Sequence, residues 1–275
     1  MKDKTKKLNS IKVINKRIEG GSLFHYAHFI CDCLFPEVIS DIPQYQNVFR
    51  LKNLDQTLGN FEKIYNQVFG SVNIELCENS FDKINCEEKT IARLPCHENI
   101  SDFKKFVNFV FNSLSINNID KPNLPEVLLI KRGLTKELIS DPELKKINNN
   151  TSNGKDRREI KHIDRVSKRL KEKYGDKFCS LVLEDVDFTD QVLHFHNAKI
   201  IVCAHGAAMA NLFFCQPGTT VIEVGYNSNA QTPEDKSIGK GGFRFFDTIC
   251  SVLNLNQHKI KRNNGFDLLK YIDSL

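Results

Sequence analysis

The chain has 275 residues, 40% hydrophobic and 27% charged, an ordinary globular make-up that excludes a fibrous or disordered protein. Thirty-nine Lys/Arg against 34 Asp/Glu give a formal net charge of +5, and the length suits one large domain or two small ones. No run approaches the roughly 20 apolar residues that span a bilayer. The basic start MKDKTKKLNSIKVINK lacks the apolar stretch of a signal peptide. The nine cysteines form no CxxC pair, so reduced, mostly buried thiols are expected rather than a zinc site. These features predict a soluble, cytoplasmic protein with no stable membrane insertion.

In chain order, FHYAHFICDCLFPEVI (24–39) reads as a helix up to Pro36, NVFRLK (47–52) as a strand, and LDQTLGNFEKIYNQVFG (54–70) as an amphipathic helix ending at Gly70. NIELC and KTIARL are short strands, and DFKKFVNFVFNSLS (102–115) is a helix with Phe103, Phe106, Val107 and Val110 on one face. IDKPNLPE (119–126) carries two prolines and is the best linker. VLLIK (127–131) is a buried-strand run, and the polar, Asn-rich 136–156 reads as a loop. Helix 158–174 follows, then strand CSLVLE (179–184), helix FTDQVLHFHNA (188–198), strand KIIVCA (199–204), helix 206–213 and strand TTVIEV (219–224). Alternation at this spacing predicts parallel strands with helices on both faces, binding ligands at the carboxyl ends of the strands.

Basic residues concentrate between Lys155 and Lys173, nine against four acidic. That stretch suits an anionic partner such as nucleic acid. The periodicity of Ile160, Ile163, Val166 and Leu170 favours instead a solvated helix with one apolar face.

The residues with chemistry to offer lie at element ends. In AHGAAMAN the glycine permits a tight turn and the alanines let a helix start approach the sheet, so its N–H groups suit phosphate oxygens. His205 stands at that entrance, as donor or as structural cap. Glu223, near the end of its strand, fits the two hydroxyls of a ribose or a salt bridge with a loop cation. Arg132 follows VLLIK, where a guanidinium fork suits phosphate; surface solvation is the plainer role. His25, His28 and Asp32 fall at i, i+3 and i+7 on one helical face. They suit a metal, a general base for a sugar hydroxyl, or a structural pairing. His194 and His196 diverge in a helix and read as structural.

These segments resemble glycosyltransferase family 61, which includes xylosyl-, arabinosyl- and O-linked N-acetylglucosaminyltransferases. HFICD (His28 to Asp32) is similar to its H-F-x-x-D element, and VLLIKRG to its arginine-terminated strand. The block LEDVDFTDQVLHFHNAKIIVCAHGAAMANLFFCQPGTTVIEV matches the family's Glu, Gln-bearing helix, H-G-A-x-x-x-N-x-x-F and P-G-x-x-V-I-E in order. Lys136 stands where a second Arg is usual, and the chain is short for the family.

The resemblance implies an α/β, GT-B-like architecture of two Rossmann-like domains facing across a cleft. Residues 1–120 would form the acceptor side and 121–275 the nucleotide-sugar-binding domain, its last helix able to pack back on the N-terminal one. It implies inverting transfer from a UDP-sugar, with UDP-xylose favoured, to a glycan or glycoprotein hydroxyl. No cofactor or metal is obligatory, and no nucleic acid is involved. Asp32, or else His28, would be the base; His205, Gly206, Ala207, Arg132, Glu223 and Asn211 would hold the donor, Asn211 by touching the nucleotide or bracing its loop. The missing anchor suggests a bacterial or viral pathway rather than a Golgi lumen. Two alternatives stay open: a metal-dependent hydrolase built on His25, His28 and Asp32, and a non-catalytic nucleotide or glycan binder.

Overall fold

Residues 10–13, 26–39, 48–49, 60–70, 73–76, 100–119, 123–133, 159–225, 244–260 and 264–275 are described by the computed structural model. The strand KTIARL, the 136–156 loop and Lys136 lie outside these residues. Two parallel sheets organise the chain. The first orders its strands β2 (Val48–Phe49), β1 (Ser10–Val13), β3 (Asn73–Leu76). The second has five strands in the order β5-β4-β6-β7-β8: β4 Val127–Lys131, β5 Phe178–Val182, β6 Ile200–Ala204, β7 Thr220–Val224 and β8 Asn256–Ile260. All its pairings are parallel. Both sheets thus lay their first three strands in the order 2-1-3.

Alternation along the central strands sorts their side chains onto two faces. Val127, Leu129, Val202, Ala204, Ile222 and Val224 join one buried cluster with Ile163, Val166 and Leu170 of α5 (Ile163–Tyr174). Leu268 and Ile272 of α8 (Gly265–Ser274) complete that layer. The apolar stripe of the basic segment therefore faces the sheet, and part of its charge is neutralised locally: Arg169 pairs with Asp273, and Lys171 with Asp176. Leu128, Ile130, Ile201, Cys203 and Val221 point to the other face. There they meet α6 (Phe188–Asn197), α7 (Arg244–Val252) and the helices of the N-terminal half.

Several elements depart from the sequence expectation. The segment read as ending at Pro36 runs on as α1 (Tyr26–Phe29), a π-helical turn (Ile30–Leu34) and α2 (Phe35–Ile39). Proline has no N–H, and the wider turn re-pairs the chain just before it, with Phe35 N–H bonding Ile30 O. Segment 206–213 is not an α-helix but a 3₁₀-helix, Ala207–Phe214. Met209 through Phe214 are all buried in it, so packing on every side, rather than propensity, sets its winding. α7 and β8 follow where no elements were assigned, and the last helix, α8, packs on α5 and the five-stranded sheet rather than back on the N-terminal half.

The 3₁₀-helix is the hub of the aromatic core. The Phe213 ring lies 5.1 Å from Phe35 of α2, and 5.1 and 4.9 Å from Phe103 and Phe106 of α4 (Ile100–Ser113). Phe214 meets Phe188 at 5.9 Å and Phe111 at 6.5 Å. His196 turns to Phe111, the Phe214 carbonyl and Gln216, a structural setting, while Phe195 between the two histidines is buried. A polar tie joins the halves as well. Asp187 caps α6 through Thr189 N–H at 3.0 Å and accepts from Lys63 at 2.5 Å and Gln67 at 3.2 Å, both on α3 (Asn60–Phe69). Lys63 holds the Asp187 carboxyl below its usual range.

Among the described residues no helix is long and apolar enough to cross a membrane. Phe213→Ala should destabilise the protein by about 3–5 kcal/mol in a urea titration. Phe109→Ala, at a partly exposed ring of α4 that touches only the Phe69 ring among the aromatic contacts of the described residues, should cost clearly less, about 1 kcal/mol.

Candidate active site

In the strand order β5-β4-β6-β7-β8 the chain leaves β4 toward β5 and returns on its other side as β6. The carboxyl ends of β4 and β6 therefore flank the switch point at which open α/β sheets bind ligands. Arg132 follows β4 there, and His205 with Gly206 follows β6. Arg132 Nη2 donates to the His205 carbonyl at 3.4 Å. A Cβ on residue 206 would stand 2.1 Å from that same Nη2, and Gly206 has φ 157°. The backbone conformation, nearly closed to other residues, calls for glycine, and any side chain there would also push the guanidinium aside. Ala207, half-buried, opens the 3₁₀-helix directly behind.

His205 is held rigidly. Its Nδ1 makes a short hydrogen bond with Glu223 Oε1, and its ring meets Phe246 edge-on at 5.6 Å. A carboxylate on Nδ1 keeps the proton on that nitrogen and aims Nε2 as the ring's working atom. The other Glu223 oxygen accepts from Gln257 Nε2 at 2.8 Å. Gln257 also donates to Asp247 at 3.2 Å, and Lys259 to Asp247 at 2.6 Å. A polar chain thus runs from Arg132 through His205 and Glu223 to the edge strand β8.

Glu223 was expected to face a ribose. It lies in β7 with the parity of Val221, opposite Cys203 in the register, and so points under α7. It is 1% exposed with both oxygens engaged, which makes it the partner of the histidine. Asn211 is 0% exposed and bonded to Tyr26 and Gln191, the bracing arrangement.

His28 belongs to α1 and Asp32 to the π-helical turn. Their side chains, and His25 altogether, lie outside the described residues. Among the described residues no group of three metal-ligating side chains gathers.

Several neighbours were given no function from the sequence. Glu184, the glutamate of the family block, is exposed just past β5, and its carboxylate carbon lies 3.1 Å from where a Gly133 Cβ would be. It stands two positions after the end of an apolar strand beside β4, a signal of a site at the strand ends. Gln257 sits on a polar edge strand that carries no such signal. The thiols nearest the site are inert. Burial, then Glu223, pushes Cys203 far up, and Cys250 rises to about 12 for the same two reasons in the same order. Neither serves as a nucleophile near neutral pH.

A guanidinium and an imidazole meet at a glycine-opened switch point, and a guanidinium fork there has the charge and donors that suit an anion. A comparison with family models matches residues 26–222 to the family described as Glycosyltransferase 61. No curated protein matches the chain. The match spans well over half of the 275 residues and takes in Arg132, His205 and Gly206; the chain belongs to glycosyltransferase family 61.

Proposed function

We propose that this glycosyltransferase moves a sugar from a UDP-sugar to a glycan hydroxyl by a single inverting displacement. The observation that carries this reading is the juxtaposition of Arg132 and His205 across Gly206. The diphosphate rests there, against the N–H groups of Gly206 and Ala207. As the acceptor oxygen attacks the anomeric carbon, the bond to the diphosphate breaks and negative charge moves onto it. Arg132 stabilises that charge, and His205, oriented by the buried Glu223, completes the cradle. Asp32, with His28 as second choice, takes the acceptor's proton as the bond forms. No metal is required by this scheme.

A carboxylate for the ribose hydroxyls is supplied by exposed Glu184 rather than by Glu223, whose oxygens are both occupied. It follows the strand beside β4, the topological place of the ribose-binding acid in dinucleotide folds. Xylose is the sugar this reading favours. The GT-B reading draws support from the shared 2-1-3 strand order of the two sheets.

In a thermal-shift panel, UDP and its sugars should raise the melting temperature, with the true donor standing out; no shift with any of them would remove the nucleotide site. His205→Ala should abolish transfer and also lower the melting temperature, because it strips the buried Glu223 carboxylate of one partner; undiminished transfer per folded molecule would remove the imidazole from the site. The two glutamates should separate kinetically. Glu184→Gln should raise donor KM about tenfold or more with kcat little changed, and Glu223→Gln should lower kcat, each on the scale of one charged hydrogen bond. Asp32→Asn should cost about a hundredfold in kcat with UDP affinity retained, and near-normal turnover would dismiss it as base.

A further inference from the structure

Phenylalanine rings fill much of the layer between the N-terminal helices and the donor-side half. Phe35, Phe103 and Phe106 surround Phe213, and Phe106 and Phe111 lie against Phe214. Apolar burial of this kind is non-directional. It presses the halves together, and the bonds of Lys63 and Gln67 to Asp187 fix their register only at one solvent-facing rim. One chain of hydrogen bonds inside this layer is directional.

The Tyr26 hydroxyl, at the first residue of α1, donates to Asn211 Oδ1 in the 3₁₀-helix at 2.6 Å. Asn211 Nδ2 donates to Gln191 Oε1 in α6 at 3.1 Å. Gln191 Nε2 then donates to the carbonyls of Leu183 and Val186, each at 2.9 Å. Those two carbonyls bracket the turn that carries Glu184 and Asp185 past β5. The middle of the chain is dry, with Asn211 at 0% and Gln191 at 7% exposure. A buried polar group left without its partner costs far more than an exposed one, so this geometry is tightly held.

The placement of the three side chains is what gives the chain meaning. Tyr26 lies two residues before His28 and six before Asp32 on one unbroken helical segment. Asn211 lies in the 3₁₀-helix that begins beside Gly206. Gln191 holds the turn bearing Glu184. We infer that Tyr26, Asn211 and Gln191 are positioning residues, a buried relay that sets the register between the acceptor-activating helix and the two donor-binding loops. This inference rests on the transferase reading above for its kinetic consequence, though not for its mechanical one.

Register matters because displacement tolerates little error. A misplacement of about 1 Å can cost on the order of a hundredfold in rate. Burial also pushes the Tyr26 phenol up, so the hydroxyl stays a donor at every pH the enzyme meets.

The test is Tyr26→Phe in the full chain, which removes one oxygen and keeps the ring. Three measurements are made: transfer kinetics with the best-stabilising UDP-sugar, UDP affinity by calorimetry, and amide hydrogen exchange. The relay predicts a kcat at least tenfold lower per folded molecule, a UDP Kd within twofold of wild type, and faster exchange in both 26–39 and 207–214. It also predicts that Tyr26→Phe adds little to Asn211→Ala in kcat, because both break the same link. A lower melting temperature with unchanged kcat per folded molecule would make the relay merely structural and overturn the proposal. So would exchange that leaves 207–214 unaltered. If the wild type neither binds UDP nor transfers sugar, the transferase reading falls by itself, and the exchange result alone upholds or overturns the coupling.

Discussion

A carboxylate buried in the sheet layer is costly unless it is paired, and the pairing of Glu223 is the constraint on which the site depends. The glutamate is placed by β7, the histidine by the end of β6, and the glutamine that completes the carboxylate's partners by β8. Three parallel strands must therefore hold their mutual register for the pair to exist at all. What the pair gains in return is a histidine with one tautomer and one orientation. Arg132, lying over Gly206 and against the His205 carbonyl, closes the arrangement from β4. The site is a property of the sheet edge as a whole rather than of any loop.

The second determinant is the 3₁₀-helix behind that edge. Long 3₁₀ segments are uncommon because their hydrogen bonds are poorly aligned, yet this one runs eight residues, AAMANLFF. Its stability comes from burial on all sides, with Phe213 and Phe214 anchored in the aromatic layer and Asn211 locked between two polar partners. The segment that begins beside Gly206 is thus also the segment on which the N-terminal helices pack. Donor-side geometry and the packing of the two halves share one short stretch of chain.

Much of this was legible in the residues. VLLIK became β4 without revision, and KIIVCA and TTVIEV became β6 and β7, because buried parallel strands are short, apolar and bounded by polar turns. α6 was readable from the capping Asp187 and its apolar face. The polar strand NQHKI was not, because an edge strand carries little of the apolar signal, and its burial pattern is mostly exposed. The winding of 207–214 was hidden because it is imposed by tertiary packing. Glu223 is the instructive case: its parity with Val221 already put it inside, where its nearness to the strand's end suggested an open mouth. Tyr26 could not have been paired with Asn211 from sequence, since 185 positions separate them.

The motif that marks the family closes on Glu223, the glutamate that orients the histidine. Gln257 and the helix carrying Phe246 come later still. The recognisable portion and the physically complete edge thus have different borders. A protein trimmed after Glu223 would keep the imidazole and its carboxylate and lose the glutamine and the ring that hold them in place.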